Sequence, residues 1–286
     1  MLVFATAGAD GAGRSVTSGN MLYRSALAGN DVCYLDFDFG SPTAGAVFAM
    51  GRAADGTTSG YGTHRYLRGE TPSPERLDVW SEAFAHRPAG SGQLVLMPGD
   101  RGGGDLANDN PGPVSRCVNL FLRLNEEFSV IVVDLSAGRS GAAEIALAAT
   151  AQPAMRDVRS RWLVFHRWTT QHVAAASKLA YDARGLIDTA VMSGHEGGEF
   201  AEHLRFVRTA TPSGLRNTDR LGALASKRRA GVERVLGSVP WDAVLQQGER
   251  LITDTDVAEG IARPETRDAF DRLAMRLADD AAWETL

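Results

Sequence analysis

Short apolar runs alternate along the chain with longer stretches in which apolar side chains recur at helical spacing. Leu2 to Ala7 and Val32 to Phe37 are apolar almost throughout, as strands buried on both faces are. Gln93 to Met97, Ser129 to Val133, Trp162 to Phe165, Ile187 to Met192 and Arg234 to Val239 read as strands in the same way. Ser15 to Ala28, Gln171 to Arg184 and Arg267 to Ala281 predict helices, the last with Phe270, Leu273, Ala274 and Leu277 at helical spacing. Strand and helix in turn imply βαβ units, hence an α/β fold: a doubly wound, mostly parallel sheet with helices on both faces. No repeat or linker forces a boundary, so residues 1–286 are expected to form a single domain. Gly51 to Gly62 and Gly99 to Pro113 carry neither pattern and read as long Gly-rich loops, suited to covering a site or forming an interface.

Composition narrows the class. With 44% hydrophobic and 23% charged residues the chain is neither disordered nor fibrous. A formal charge of −5 gives no overall positive field to attract nucleic acid. Two cysteines, Cys33 and Cys117, fit a reducing compartment and cannot by themselves make a thiolate zinc site. No window approaches the ~20 apolar residues of a membrane helix, and the first apolar run passes directly into a Gly-rich turn. A cytoplasmic protein with no membrane association is expected.

That turn, Gly8-Ala9-Asp10-Gly11-Ala12-Gly13-Arg14-Ser15, fits the phosphate-loop pattern except that arginine stands where lysine is usual. Its glycines let backbone N–H groups wrap a phosphate chain at the start of a helix, and the Ser15 hydroxyl suits a magnesium ion. Arg14 keeps the charge but replaces a slim ammonium with a broad planar group. Two further strand ends carry acids: Leu35-Asp36-Phe37-Asp38 after the second strand, and FSVIVVDLSAGRS from Phe128 to Ser140, which delivers Asp134 and then Gly138. In an open parallel sheet the strand ends share one crevice, where Ser15, Asp36 and Asp134 could organise the metal.

These three segments resemble the MinD/ParA family of P-loop ATPases, SIMIBI-class relatives of the nitrogenase iron protein with a deviant Walker phosphate loop. VLGSVPWDAVLQQGERLI from Val235 to Ile252 resembles the family's late strand, base-side loop and following helix. The resemblance implies ATP or ADP with Mg²⁺, held by Gly8, Ala9, Asp10, Gly11, Ala12, Gly13, Arg14, Ser15 and Val16, by Gly138 as γ-phosphate sensor, and by Pro240, Trp241 and Asp242 beside the base. It implies Asp38 as the residue that positions the attacking water, with Arg14 as its cationic partner in catalysis. It further implies a homodimer that meets a protein partner.

The departures point to a weakened site. The family's signature lysine, which crosses the dimer to the partner's phosphates, corresponds to Ala9, and its adenine-reading asparagine to the neighbourhood of Met192-Ser193-Gly194, which has none. The expected function is therefore a MinD/ParA-like nucleotide-binding protein with slow or partner-dependent ATPase activity, acting as a regulatory or positioning switch. Two alternatives stand beside it: a pseudo-ATPase scaffold that no longer binds nucleotide, and a ParA-like DNA-partitioning ATPase. For the second, Arg205, Arg208, Arg216, Arg220 and Lys227-Arg228-Arg229 form the best basic face, although interspersed acids make a solvated surface the stronger expectation. His195-Glu196 is the most notable pair among dispersed histidines, which show no zinc motif. The acidic last helix suits packing against the sheet better than binding anionic lipid.

Overall fold

The computed structural model describes residues 1–84, 86–104, 106, 111–212 and 234–284. Eight strands form one sheet: β1 Leu2–Ala7, β2 Val32–Phe37, β3 Leu77–Asp78, β4 Leu94–Met97, β5 Val130–Leu135, β6 Ser160–Arg167, β7 Leu204–Thr211 and β8 Val235–Pro240. Their spatial order is β3, β4, β2, β5, β1, β6, β7, β8. Every pairing is parallel except that of the two-residue β3 with β4. The doubly wound α/β fold expected from the alternating pattern is the fold observed.

Alternation of side chains along the strands divides the core into two layers. On one face Phe4, Ile131 and Val133 pack with Phe121 and Leu124 of the helix Pro111–Glu127 and Ile145 of the helix Gly141–Thr150. On the other, Val3, Ala5 and Val132 pack with Met21 and Leu22 of the helix Arg14–Leu27 and with Phe270 and Leu273 of the helix Pro264–Ala278. The chain leaves β1 towards β2 on one side and later adds β6 on the other. The crevice at the carboxyl end of β1 is therefore a topological switch point, where ligands of such sheets sit.

Ile187 to Met192 is not a strand but part of a helix, Leu186–Ser193. Only Leu186 and Ala190, four positions apart, are buried there, whereas Val191 and Met192 face outward. A strand in this sheet would have buried the whole run, and Gly194 in the left-handed region closes the helix instead. The missing strand is β7, which begins among the residues read as a basic face. Arg205 is buried at its start, and Arg208 stacks on Trp168 at 4.2 Å, so neither is part of an open cationic surface. Arg216, Arg220 and Lys227-Arg228-Arg229 lie outside the described residues.

The described residues of the two Gly-rich stretches make regular contacts. Thr57 pairs with Asp100, donating its N–H to the Gly99 carbonyl and accepting from the Arg101 N–H. Pro111-Gly112-Pro113 opens a helix rather than ending a loop, as proline in a first helical turn can. His195 and Glu196 have structural partners: a ring nitrogen of His195 meets the Leu147 carbonyl at 2.9 Å, and Glu196 caps the helix Gly197–Glu202. Among the described residues no helix is long and apolar enough to cross a membrane.

Candidate functional site

The loop after β1 is shaped by close packing. A Cβ on Gly8 would lie 2.3 Å from the Ala175 backbone, so the helix Thr170–Tyr181 leaves room only for glycine. Gly11 and Gly13 adopt φ of 69° and 72°, a region costly for other residues. Gly13 caps the next helix without a side-chain hydrogen bond. Among the described residues, the N–H groups of Ala9, Asp10, Gly11, Ala12 and Gly13 have no internal acceptor, and those of Arg14, Ser15 and Val16 belong to a first helical turn that supplies none. These eight residues line a cleft of about 310 Å³. A ring of unpaired amides at a helix start is what a phosphate chain requires.

Arg14 does not extend into this cleft as a loop lysine would. Its Nε donates to Asp134 Oδ1 at 2.5 Å, and its Nη2 donates to Asp38 Oδ2 at 2.7 Å and to Ser15 Oγ at 3.3 Å. The register explains the convergence: β2 and β5 place Asp36 directly beside Asp134, on the sheet face covered by the helix that Arg14 begins. Tyr34 donates its hydroxyl to Asp134 Oδ2 at 2.7 Å, so both oxygens of Asp134 have partners. Asp38 is likewise engaged at both oxygens, since Ser136 Oγ donates to Oδ1 at 2.9 Å.

The electrostatics follow from burial. Desolvation acts to lower the Arg14 pKa, but Asp134 and Asp38 outweigh it, so the guanidinium remains charged. Burial, then Asp134, push the Tyr34 hydroxyl well above its usual range, keeping it a hydrogen donor. Burial, then Asp134 and Asp38, hold the Asp36 carboxyl well above the ordinary carboxylate value. Asp36 accepts the N–H groups of Asp38 and Ala44 at 3.1 and 3.3 Å and so organises the turn after β2.

A carboxyl with a raised folded pKa carries no penalty below its unfolded pKa, and the penalty grows as pH rises towards the folded value. Replacing Asp36 with asparagine should therefore favour the variant progressively relative to the native chain as pH rises through the range above the ordinary carboxylate value. Urea unfolding across that range measures the trend, and a pH-independent difference would contradict the assignment.

The other expected site residues divide. Pro240 lines a recess of about 100 Å³ beside Gly11 and Gly13, together with Thr209, Arg167 and Gln246. Trp241 is half exposed, with its backbone N–H on the Thr211 carbonyl. Asp242 is buried and turned away: it accepts from the Arg263 N–H at 3.0 Å and Thr266 Oγ1 at 2.6 Å, which ties it to the start of the helix Pro264–Ala278. Gly138 donates its N–H to the Ala7 carbonyl at 2.7 Å and does not line the cleft. Met192, Ser193 and Gly194 line neither the cleft nor the recess. Sequence reasoning missed Tyr34, Ser136 and Glu249. Glu249 lines the cleft, with its carboxyl raised by burial and Asp134.

The phosphate cradle thus fits a nucleotide. The magnesium ligands expected at Ser15, Asp36 and Asp134 do not fit a metal as arranged, because Arg14 and Tyr34 take up Asp134 and Asp36 is bound to the backbone.

A doubly wound sheet in this strand order, with a glycine loop after its first strand, is the fold shared by MinD, McdA and plasmid partition proteins. MinD from Pyrococcus horikoshii OT3 complexed with Mg-ADP is similar over 98% of this chain and 96% of its own, with a TM-score of 0.60 and 14% identity. An aspartate-to-alanine variant of Cyanothece McdA in complex with ATP matches over 96% and 95% at a TM-score of 0.60 and 18% identity. A putative plasmid partition protein from Borrelia burgdorferi B31 bound to AMPPNP matches over 96% and 97% at 0.58 and 10%. No protein-family model matches the sequence, and no curated protein matches it.

Proposed function

We propose that the chain binds ATP or ADP through residues 8–16, hydrolyses ATP slowly or only with a partner, and works as a regulatory or positioning switch. The observation that carries this reading is the ring of unpaired amides around a cleft at the end of β1. The similar structures bound to Mg-ADP, ATP and AMPPNP support the same reading for this fold. Arg14 is the cation of the site, fixed beneath the phosphate cradle between Asp38 and Asp134. Slow turnover follows, because Arg14 and Ser136 each engage an oxygen of Asp38 and so constrain how it can orient a water. The homodimer and the protein partner belong to this proposal as well. With Ala9 in place of a charged residue, any dimer rests on protein contacts more than on a shared nucleotide.

The scaffold reading has its own support. Asp10, Asp38 and Glu249 line the cleft, and Arg14, already paired, is the only cation among the described residues that does so. Calorimetry with ATP and ADP separates the two readings. Saturable binding with a Kd in the micromolar range is expected; no heat at millimolar nucleotide from a folded sample would leave the scaffold.

A further inference from the structure

The amino-terminal ends of β6, β7 and β8, at the opposite end of the sheet from the phosphate loop, gather four arginines around a second cavity. It measures about 350 Å³ and is lined by Arg159, Arg161, Arg205 and Arg234, with His203 and Trp283 beside them. Parallel pairing brings these residues together: β6 lies beside β7 and β7 beside β8, so residues at the strand starts share one end of the sheet.

The cations are fixed, and among the described residues lining the cavity they outnumber the acids Glu202, Asp280 and Glu284. Arg161 and Arg205 stand over the Trp283 ring at 4.4 and 4.9 Å, a contact that holds both guanidinium groups. Asp280 is shared by Arg159 at 2.9 Å and Arg161 at 2.5 Å. Arg205, only 2% exposed, donates to the carbonyls of Glu202, Leu204 and Trp283. Arg234 donates to the Ala201 carbonyl at 3.3 Å. Among the described residues, neither Arg205 nor Arg234 has a carboxylate within ion-pair distance. A buried guanidinium without a counter-charge is costly. Burial and the neighbouring Arg234 both lower the Arg205 pKa, which an arriving anion would reverse.

We propose that this cavity binds a small molecule carrying a phosphate monoester and hydroxyl groups. Arginine presents paired N–H groups that match phosphate oxygens. The cavity is larger than one phosphate group, and Glu202, Glu284 and His203 line it as partners for hydroxyls of the ligand body. A DNA backbone fits less well. Glu202, Asp280 and Glu284 repel an extended polyanion, and Arg161 and Arg205 lie too deep for a phosphate held on a duplex.

The test titrates the full chain with inorganic phosphate, ribose 5-phosphate, ribose and duplex DNA, by calorimetry and thermal shift, alongside Arg234→Gln and the exposed-site variant Arg159→Gln. Ribose 5-phosphate should bind more tightly than phosphate and ribose not at all. Each variant should weaken ribose 5-phosphate by about tenfold or more, with its ligand-free melting point near the native one. Binding undiminished in both variants would place the ligand elsewhere, the phosphate loop first, and overturn the proposal. So would the absence of binding, or DNA binding that needs Arg234 and excludes ribose 5-phosphate. Since neither variant touches residues 8–16, failure here leaves the nucleotide reading intact.

Discussion

Arg14→Ala should lower the unfolding free energy by about 3–4 kcal/mol at neutral pH in the absence of divalent ions, the cost of removing one partner of a buried ion pair. The Arg14 and Asp134 side chains are 9% and 1% exposed, so Asp134 would be left as a nearly dry carboxylate with only the Tyr34 hydroxyl for support. Asp38, at 17%, is the lesser part, because water can replace its partner. Two controls separate charge from packing. Asp134→Asn in the Arg14→Ala background should restore part of the loss, since no anion then remains uncompensated. Millimolar Mg²⁺ should stabilise Arg14→Ala and leave the native chain nearly unaffected, because an ion that binds the folded state alone raises stability by mass action. Urea unfolding supplies each value. A loss below about 1 kcal/mol would identify Arg14 as an ordinary surface group.

Why was this arrangement not readable in advance? The sheet largely was. β1 and β2 coincide with the apolar runs Leu2 to Ala7 and Val32 to Phe37, since strands covered on both faces are apolar almost throughout, with Thr6 and Asp36 the buried polar exceptions near their carboxyl ends. The rule failed where polar residues are buried with their own partners. β7 reads as basic surface because Arg205 interrupts it, yet that guanidinium lies inside on backbone carbonyls and the Trp283 ring. The opposite error, Ile187 to Met192, arose because an apolar run of that length is ambiguous between strand and helix.

At the site, the sequence carried the loop and the three aspartates but not the direction in which Arg14 turns. Two signals bore on it. One was a surplus of carboxylates at the strand ends over cations in the loop. The other was Tyr34, a tyrosine within a buried strand, whose hydroxyl needs an acceptor nearby. Asp242 shows the converse limit: its position after the late strand matches the base-side loop, while its carboxyl is occupied by the Val244 N–H of its own turn and by Arg263 and Thr266 at the start of a helix.

The second large effect concerns magnesium. In the fold's usual arrangement the metal offsets phosphate charge beside the loop serine and a strand-end aspartate. Here the guanidinium of Arg14 occupies the space between Asp134 and Asp38 and also reaches Ser15. If this internal cation serves in place of the metal, nucleotide affinity should not depend on Mg²⁺. Arg14→Lys, whose single ammonium group cannot span both carboxylates in the same way, should acquire that dependence. Calorimetric titration of the native chain with ADP, once in excess Mg²⁺ and once in excess EDTA, is the most direct measurement. Dissociation constants within about threefold of each other, a difference under about 1 kcal/mol, are predicted; a loss of a hundredfold or more on removing Mg²⁺ would show that the metal displaces Arg14 and contradict its role as the resident cation.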